Sequence, residues 1–304
     1  MKKKKVKYKK INAFSLVIMR ILDGKALSEK IKESLKGQIP KVKEEYGRVP
    51  GLATVIVGND EASKVYVGMK VKSCEAIGMK SFSYQLKEDT SFEELKILVR
   101  ELNENPKVDG ILVQLPLPKH LRPFTDEILD LIDPKKDVDG FGLSAMGLLQ
   151  RGIETYASCT PKGMIKVLEE NEISIEINEV VIINRTNVIG KPLAFLFLNR
   201  NATVTICHSK TKDIKVHTKR ADILAVGVGK INFITENMVK DGVVILDAGI
   251  NRNSDGKLVG DVDYEHVAPK CAAITPVPGG VGPMTIASLL ENTLNAFLER
   301  IGKK

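Results

Sequence analysis

Val180-Val181-Ile182-Ile183-Asn184-Arg185-Thr186-Asn187-Val188-Ile189-Gly190-Lys191-Pro192 is the stretch on which the fold turns. A short run of β-formers ends in a polar turn, and Pro192 then suits the first turn of a helix. A strand running through a turn into a helix start aims backbone N–H groups and the positive end of a helix dipole at one spot, which can hold a pyrophosphate. The G-x-G-x-x-G spacing of the dinucleotide fingerprint is absent, so on this segment alone a purely structural turn competes with the phosphate reading.

Downstream, a strand at 202–207 ends in Cys207-His208-Ser209-Lys210-Thr211. An NAD site places an acid at this strand end to hold the ribose 2′-hydroxyl. Here there is none, and Ser209, Thr211, Lys210 and Arg185 would favour a 2′-phosphate by charge and hydrogen bonding, so NADP is expected over NAD. Strands at 222–226 and 243–247 follow, ending in Gly227-Val228-Gly229 and Gly249-Ile250-Asn251, where small residues let a cofactor lie against the backbone.

Upstream the same alternation runs. Apolar residues at helical spacing over 26–46 predict a helix that Pro40 should kink or split. Strands at 52–57 and 81–86 flank a helix at 61–77, and a helix at 91–105 opens on a Ser91/Glu94 capping box. Residues 108–114 form a continuous apolar strand of the kind buried on both faces. Strands alternating with helices predict an α/β fold of two lobes, each on a parallel sheet, the second Rossmann-like. Residues 133–151, rich in Asp, Lys and Gly, read as loop and hinge, followed by a helix at 160–171. The last helix, 283–300, is long enough to return to the first lobe. The expected division is a basic extension at 1–18, a first lobe of 19–142 plus 284–304, and a second lobe of 143–283.

The chain has 304 residues, 43% of them hydrophobic, enough for packed cores, and no apolar run approaches the roughly 20 residues of a membrane helix. The net charge is +8, of which +7 comes from Lys2, Lys3, Lys4, Lys5, Lys7, Lys9 and Lys10, so the body is almost neutral. Such a tail could touch phosphates non-specifically, but a solvated, disordered terminus is the simpler expectation. A signal peptide is not expected: a small-residue cleavage pattern is missing, and Arg20 and Asp23 follow the apolar stretch at once. Periodic sequence begins near Met19, the expected natural start. Cys74, Cys159, Cys207 and Cys271 form no C-x-x-C pair, and His120, His208, His217 and His266 have no ligand spacing. No metal or disulfide framework is expected, and the compartment should be reducing cytosol.

Tyr66 and Lys70 lie four apart on one helix face, with Ser63 a turn earlier. An exposed surface lysine is the competing reading of Lys70. Gln114 ends a buried strand in Gln114-Leu115-Pro116-Leu117-Pro118, and open parallel sheets gather ligands at strand carboxyl ends. Asp137-Val138-Asp139-Gly140 falls on the hinge, without the remaining ligands of a calcium loop. Residues 275–285, Thr-Pro-Val-Pro-Gly-Gly-Val-Gly-Pro-Met-Thr, form a rigid connector over which a flat ligand can approach the main chain.

Taken together, these segments resemble the bifunctional methylenetetrahydrofolate dehydrogenase/methenyltetrahydrofolate cyclohydrolase family over nearly everything from Met19 onward. The marks are Ala62-Ser63 with Tyr66, Val67, Lys70 and Lys72; residues 113–118; Lys136-Asp137-Val138-Asp139-Gly140; Cys159-Thr160-Pro161; His208-Ser209 with Thr211; and residues 276–285. The resemblance implies Lys70 as catalytic lysine, Tyr66 and Gln114 as its partners, and Asp139 as folate anchor. Pro278, Gly279 and Gly280 join Tyr66, Gln114 and Asp139 in substrate binding, and Asn184, Arg185, Thr186, Ser209, Thr211 and Ile250 bind NADP. It further implies a cytoplasmic homodimer acting on one-carbon tetrahydrofolates, with no membrane or specific nucleic-acid partner. Asp139 would accept the adjacent pterin N–H and amino donors. Lys70, made neutral by burial and oriented by a hydrogen bond from the Gln114 amide, would deprotonate the hydrolytic water. The chain departs from the family in having Asn184-Arg185-Thr186 for Gly-Arg-Ser and Ser158 for the proline before Cys159. Asn184 is expected to tolerate a left-handed backbone. Two other readings compete. A different two-lobed dehydrogenase, of the shikimate or amino-acid type, would reduce NADP with a small acid and no folate. A nucleic-acid binder would act through its lysine tail.

Overall fold

The computed structural model describes residues 19–302; the basic extension expected at 1–18 lies outside the described residues. Strand β1 (Arg20–Ile21) leads into α1 (Gly24–Tyr46), which Asp23 caps by accepting the Ala26 N–H at 2.9 Å. Pro40 does not split α1 as expected. Its neighbours Ile39 and Val42 are both buried, and their packing outweighs the one hydrogen bond that proline removes.

Strand β2 (Gly51–Val57), helix α2 (Glu61–Ala76), strand β3 (Lys80–Leu86), helix α3 (Phe92–Glu104) and strand β4 (Gly110–Val113) follow. The three strands pair in parallel in the order β3-β2-β4, and β2 is buried along its whole length. Helix α3 opens on the expected capping box of Ser91 and Glu94.

The carboxyl end of α3 has no basic residue of its own. Lys136 supplies the charge from a distant loop: its ammonium, in a side chain only 2% exposed, donates to the carbonyls of Leu102, Asn103 and Asn105 at 3.0, 2.6 and 2.9 Å. The Leu102 and Asn103 carbonyls, which a helix end would otherwise leave orphaned, are thereby satisfied, and the Asn105 carbonyl, which also takes the Val108 N–H at 3.2 Å, gains a second donor. Lys136→Met keeps the length but abandons them, and should lower stability by about 3 kcal/mol, measured by urea unfolding. A loss below about 1 kcal/mol would show that water replaces the ammonium there.

Beyond α4 (Thr125–Asp130), residues 133–142 form the expected loop, but α5 (Leu143–Gln150) replaces its second half. The polar loop residues masked a short apolar helix, one turn of which buries Leu149. Helix α6 (Cys159–Glu170) then opens the series β5 (Glu179–Ile183), α7 (Gly190–Leu198), β6 (Thr203–Cys207), α8 (Ile214–Thr218), β7 (Ile223–Val226) and β8 (Val243–Asp247). A hairpin of β9 (Asn251–Arg252) and β10 (Leu258–Val259), helix α9 (Tyr264–Val267), strand β11 (Cys271–Ile274) and α10 (Val281–Arg300) complete the chain.

The second sheet is parallel throughout, in the order β1-β11-β8-β7-β5-β6. Its outermost strand, β1, comes from the start of the chain, while α10 returns to pack on α1 as well as on α6. At the far end of α10, Arg300 donates to Asp109 at 2.6 Å, and Asp109 also takes both Arg48 guanidinium nitrogens at 2.7 and 2.9 Å. The units therefore exchange elements at both ends. Each sheet reverses direction once: β2 stands between β3 and β4, and β5 between β6 and β7. Ligands in such sheets collect beyond the carboxyl ends at these reversals. Among the described residues no helix is long and apolar enough to cross a membrane, and no cluster of His, Cys, Asp and Glu could hold a metal ion.

Candidate active site

Asp60 caps α2 through the Ser63 N–H at 2.8 Å, which fixes the rotation of the helix. Its buried residues are Ser63, Val67, Lys70 and Cys74, so Lys70 holds a position in the core-facing stripe where an apolar residue would be expected. Only 6% of Lys70 is exposed, which rules out the surface-lysine reading. Its amine donates to Gln114 Oε1 at 3.0 Å, while Gln114 Nε2 donates to the Leu115 carbonyl at 2.6 Å. The expected bond from the amide to the lysine thus runs the other way: the Leu115 carbonyl occupies the amide N–H, leaving Gln114 its oxygen to offer.

Asp139 completes the cluster through a loop built for it. The Asp137 carboxylate accepts the N–H groups of Gly140 and Gly142 at 3.0 and 2.8 Å and curls residues 137–142 into a turn. Gly140 has φ +70°, and a methyl group on it would stand 2.1 Å from the Tyr156 carbonyl oxygen, so no larger residue fits. The Val138 carbonyl accepts from the buried Asn292 side chain at 2.9 Å and from the Cys159 thiol at 3.3 Å. Burial raises the Asp139 carboxyl above its ordinary pKa; the nearby Lys70 charge and the Cys159 thiol hold it down in part. Burial likewise pushes the Cys159 thiol well up, so it stays protonated and able to donate. Sequence reading missed Asn292. A polar residue within the buried run of α10 was the available signal.

Tyr66, one turn before Lys70, is half-buried and faces residues 276–283: a methyl on Gly282 would stand 4.0 Å from its hydroxyl. Burial raises its pKa, so the phenol is neutral. Together they border a cavity of about 380 Å³ between the lobes, lined by Tyr66, Ile250, Pro278, Gly279 and Gly280 among others. Lys70, Gln114 and Asp139 do not line it; Tyr66, which does, precedes Lys70 by one turn of α2. A larger hollow of about 890 Å³ lies at the opposite end of the three-stranded sheet, away from the strand carboxyl ends, so the smaller cavity is the candidate site.

The second reversal carries the loop that the sequence offered for phosphate. Asn184 does not adopt the left-handed backbone expected of it. Its side chain acts instead: Oδ1 accepts the N–H groups of Thr186 and Gly190 at 2.8 and 3.0 Å, and Nδ2 donates to the Gly227 carbonyl at 2.5 Å. Ser158, the other departure, donates its hydroxyl to the Val188 carbonyl at 2.7 Å. Both unusual residues thus brace one loop. Ile183 pairs in register with Cys207, so 184–186 and 208–211 leave the sheet side by side. Arg185, Thr186, Ser209 and Lys210 are exposed there, and Thr211 Oγ1 accepts the His208 N–H at 2.9 Å. A strand end with two cations, several hydroxyls and no carboxylate fits a phosphorylated ribose. By contrast, the N–H groups of Val228, Gly229 and Lys230 are all taken by Asp261, so this glycine-rich strand end offers no free donors to a ligand.

Comparison with known proteins agrees with this geometry. Signatures of the catalytic domain and the NAD(P)-binding domain of tetrahydrofolate dehydrogenase/cyclohydrolase match residues 22–139 and 158–301. The bifunctional protein FolD of a Sulfurovum species is 50% identical over 93% of this chain and 100% of its own length. That of Nautilia profundicola is 52% identical over 91% of this chain and 97% of its own. The crystal structure of the bifunctional enzyme from Campylobacter jejuni superposes with a TM-score of 0.90 at 48% identity, covering 93% of this chain and 99% of that one. The Trypanosoma brucei enzyme, solved with NADP cofactor and inhibitor, gives a TM-score of 0.89 at 33% identity, over 93% of this chain and 99% of its own.

Proposed function

The chain belongs to the tetrahydrofolate dehydrogenase/cyclohydrolase family, and from that premise we propose how its own residues share the work. The enzyme oxidises 5,10-methylenetetrahydrofolate to the methenyl form with NADP and hydrolyses that product to 10-formyltetrahydrofolate. The observation that carries the division of labour is the buried Lys70–Gln114 pair set next to Asp139.

Ionised Asp139 accepts the adjacent ring N–H and amino groups of the pteridine, a pair of donors that suits one carboxylate. Tyr66 and the main chain at Pro278, Gly279 and Gly280 flank the flat ring. Arg185, Thr186, Ser209 and Thr211 hold the cofactor phosphates on the loop that Asn184 braces, and Ile250 lends an apolar wall. Bound NADP supplies the acceptor for the hydride leaving the methylene carbon. The bridge that results is cationic and open to attack by water, and Lys70, whose nitrogen stands 3.0 Å from Gln114 Oε1, is the base assigned to that water. Gln114 Oε1 takes one of its N–H groups, which turns the lone pair toward the water it deprotonates.

We assign residues 19–142 plus 284–304 to the folate lobe and 143–283 to the NADP lobe. We also propose a cytoplasmic homodimer with no specific nucleic-acid partner. All four cysteines are free and buried, which suits a reducing compartment, and β6, an open edge strand of the second sheet, carries the exposed Ile206.

Two predictions arise here. Because burial raises the Asp139 pKa and the ionised form binds pteridine, kcat/KM for folate should fall on the acid side through a pKa above the ordinary carboxylate value of about 3.9. A profile flat down to about pH 4 would contradict this. Arg185→Ala should weaken NADP binding roughly ten- to hundredfold while leaving the KM for NAD nearly alone, reversing the preference. Equal losses with both coenzymes would remove Arg185 from the 2′-phosphate site. The whole reading is tested by following the methenyl absorbance of the purified protein with methylenetetrahydrofolate and either coenzyme. The band should rise with NADP and then decay by hydrolysis; no rise with either coenzyme would refute it.

A further inference from the structure

Asp247 ends strand β8 with a side chain only 3% exposed, and Asp261, two residues beyond the β9–β10 hairpin, is fully buried. The Asp247 carboxylate accepts the N–H groups of Gly249, Asp261 and Val262 at 2.8, 3.1 and 3.0 Å, and a methyl on Gly260 would stand 2.0 Å from its Oδ2. Asp261 in turn accepts the N–H groups of Val228, Gly229 and Lys230 and the Asn251 amide. The main chain is thus wrapped around two buried carboxylates. Buried charge ordinarily sits against a cation. Among the described residues Asp247 has none: its partners are N–H groups, and the charge that acts on it is that of Asp261.

Asp247 also lines the cleft cavity of about 380 Å³, with Ala248, Gly249 and Ile250 after it. The other titratable residues on those walls are Lys25, Glu29 and Lys32 of α1 and Tyr66 and Lys72 of α2, and Lys32 is paired with Glu29 at 2.6 Å. Hydride transfer needs the nicotinamide and the one-carbon bridge to meet, and this cavity takes walls from both lobes. Nothing in the chemistry assigned to it so far uses Asp247.

We propose that Asp247 is the counter-charge of the oxidised nicotinamide ring and so sets the preference of the enzyme for oxidised NADP relative to NADPH. The inference rests on the NADP reading of the second lobe. The two coenzymes share every phosphate and differ by one positive charge on this ring, so a preference between them arises where the ring lies. When the hydride leaves the methylene carbon with both electrons of its bond, the ring loses that charge and the one-carbon bridge gains it. A fixed carboxylate in the wall therefore faces a cation before and after the transfer. Burial, aided by the repulsion of Asp261, raises the Asp247 carboxyl to about 6 against the pull of its three N–H partners. Below that pH the carboxyl is neutral and the attraction is lost. A bound ring cation draws the pKa back down, by about one unit for a tenfold preference.

The test is calorimetric titration of the full-length enzyme, without folate, with oxidised NADP and with NADPH at about pH 7.5 and about pH 5. The ratio of the oxidised to the reduced dissociation constant should rise about fivefold at the lower pH, as a pKa of about 6 lowered by about one unit requires. Protonation of the 2′-phosphate cancels in this ratio. Asp247→Asn should weaken oxidised NADP about tenfold at the higher pH and leave NADPH within about twofold. It should also abolish the pH response, which would exclude Asp139 and Lys70 of the first lobe as its source. A wild-type ratio indifferent to pH would overturn the proposal, and that profile decides the matter should the variant not fold. Equal weakening of both coenzymes by Asp247→Asn would also overturn it, by reducing the carboxylate to a brace for the main chain. Failure of both coenzymes to bind the wild type would instead strike the NADP reading itself, and this inference with it.

Discussion

Lys70→Met should lower the hydrolysis of methenyltetrahydrofolate by about two to four orders of magnitude, the usual contribution of a positioned general base. Methionine matches the lysine stem in volume and keeps the buried stripe of Ser63, Val67 and Cys74 packed, so the fold should survive. What disappears is the nitrogen 3.0 Å from Gln114. Oxidation of the methylene carbon needs alignment rather than a base, so part of the NADP reduction should remain and methenyltetrahydrofolate should accumulate. Single-turnover kinetics of each step, run separately, separate the two effects. Retention of full cyclohydrolase turnover would take the base away from Lys70.

Asp139→Ala should act differently, through binding of the folate in both reactions. Two hydrogen bonds to a charged acceptor, each worth roughly 1.5–3 kcal/mol, vanish together, so kcat/KM for both steps should fall by about two to four orders of magnitude. Asp139→Asn should be nearly as damaging, because its amide would turn an N–H pair toward the pteridine donors where an oxygen is needed. NADP affinity, measured by fluorescence titration, should stay within about twofold in both variants, since Arg185 and Ser209 lie at the end of the other sheet. A loss of kcat/KM below about threefold would dismiss Asp139 as the anchor.

Much of this was legible in the chain because local signals were strong. The apolar runs that became β2, β4 and β5 are buried along nearly their whole lengths, and burial on both faces is what a continuous apolar run encodes. The absent carboxylate at 207–211 spoke for a phosphorylated ribose through residue type alone. Other features depend on partners far away in sequence. Strand β1, at two residues, is too short to show a period and exists because Leu22 donates to the Ile274 carbonyl at 2.9 Å. Asn292 matters only because α10 brings it to the Val138 carbonyl, 154 residues earlier. The direction of the Lys70–Gln114 bond was misread because the deciding acceptor, the Leu115 carbonyl, is a main-chain atom with no signature in residue type. Likewise the backbone of Asn184 needed no special tolerance, since its side chain does the bracing.

The central claim is that one crevice, with Asp139 and Tyr66 holding the ring and Lys70 beside it, serves both reactions. The most direct measurement is a crystal structure of the enzyme with NADP and a non-reactive methenyltetrahydrofolate analogue. The pteridine should lie against Tyr66 with its amino edge on Asp139 and its bridging carbon within reach of the Lys70 amine. A pteridine seated elsewhere, or one whose bridge points away from Lys70, would contradict the account.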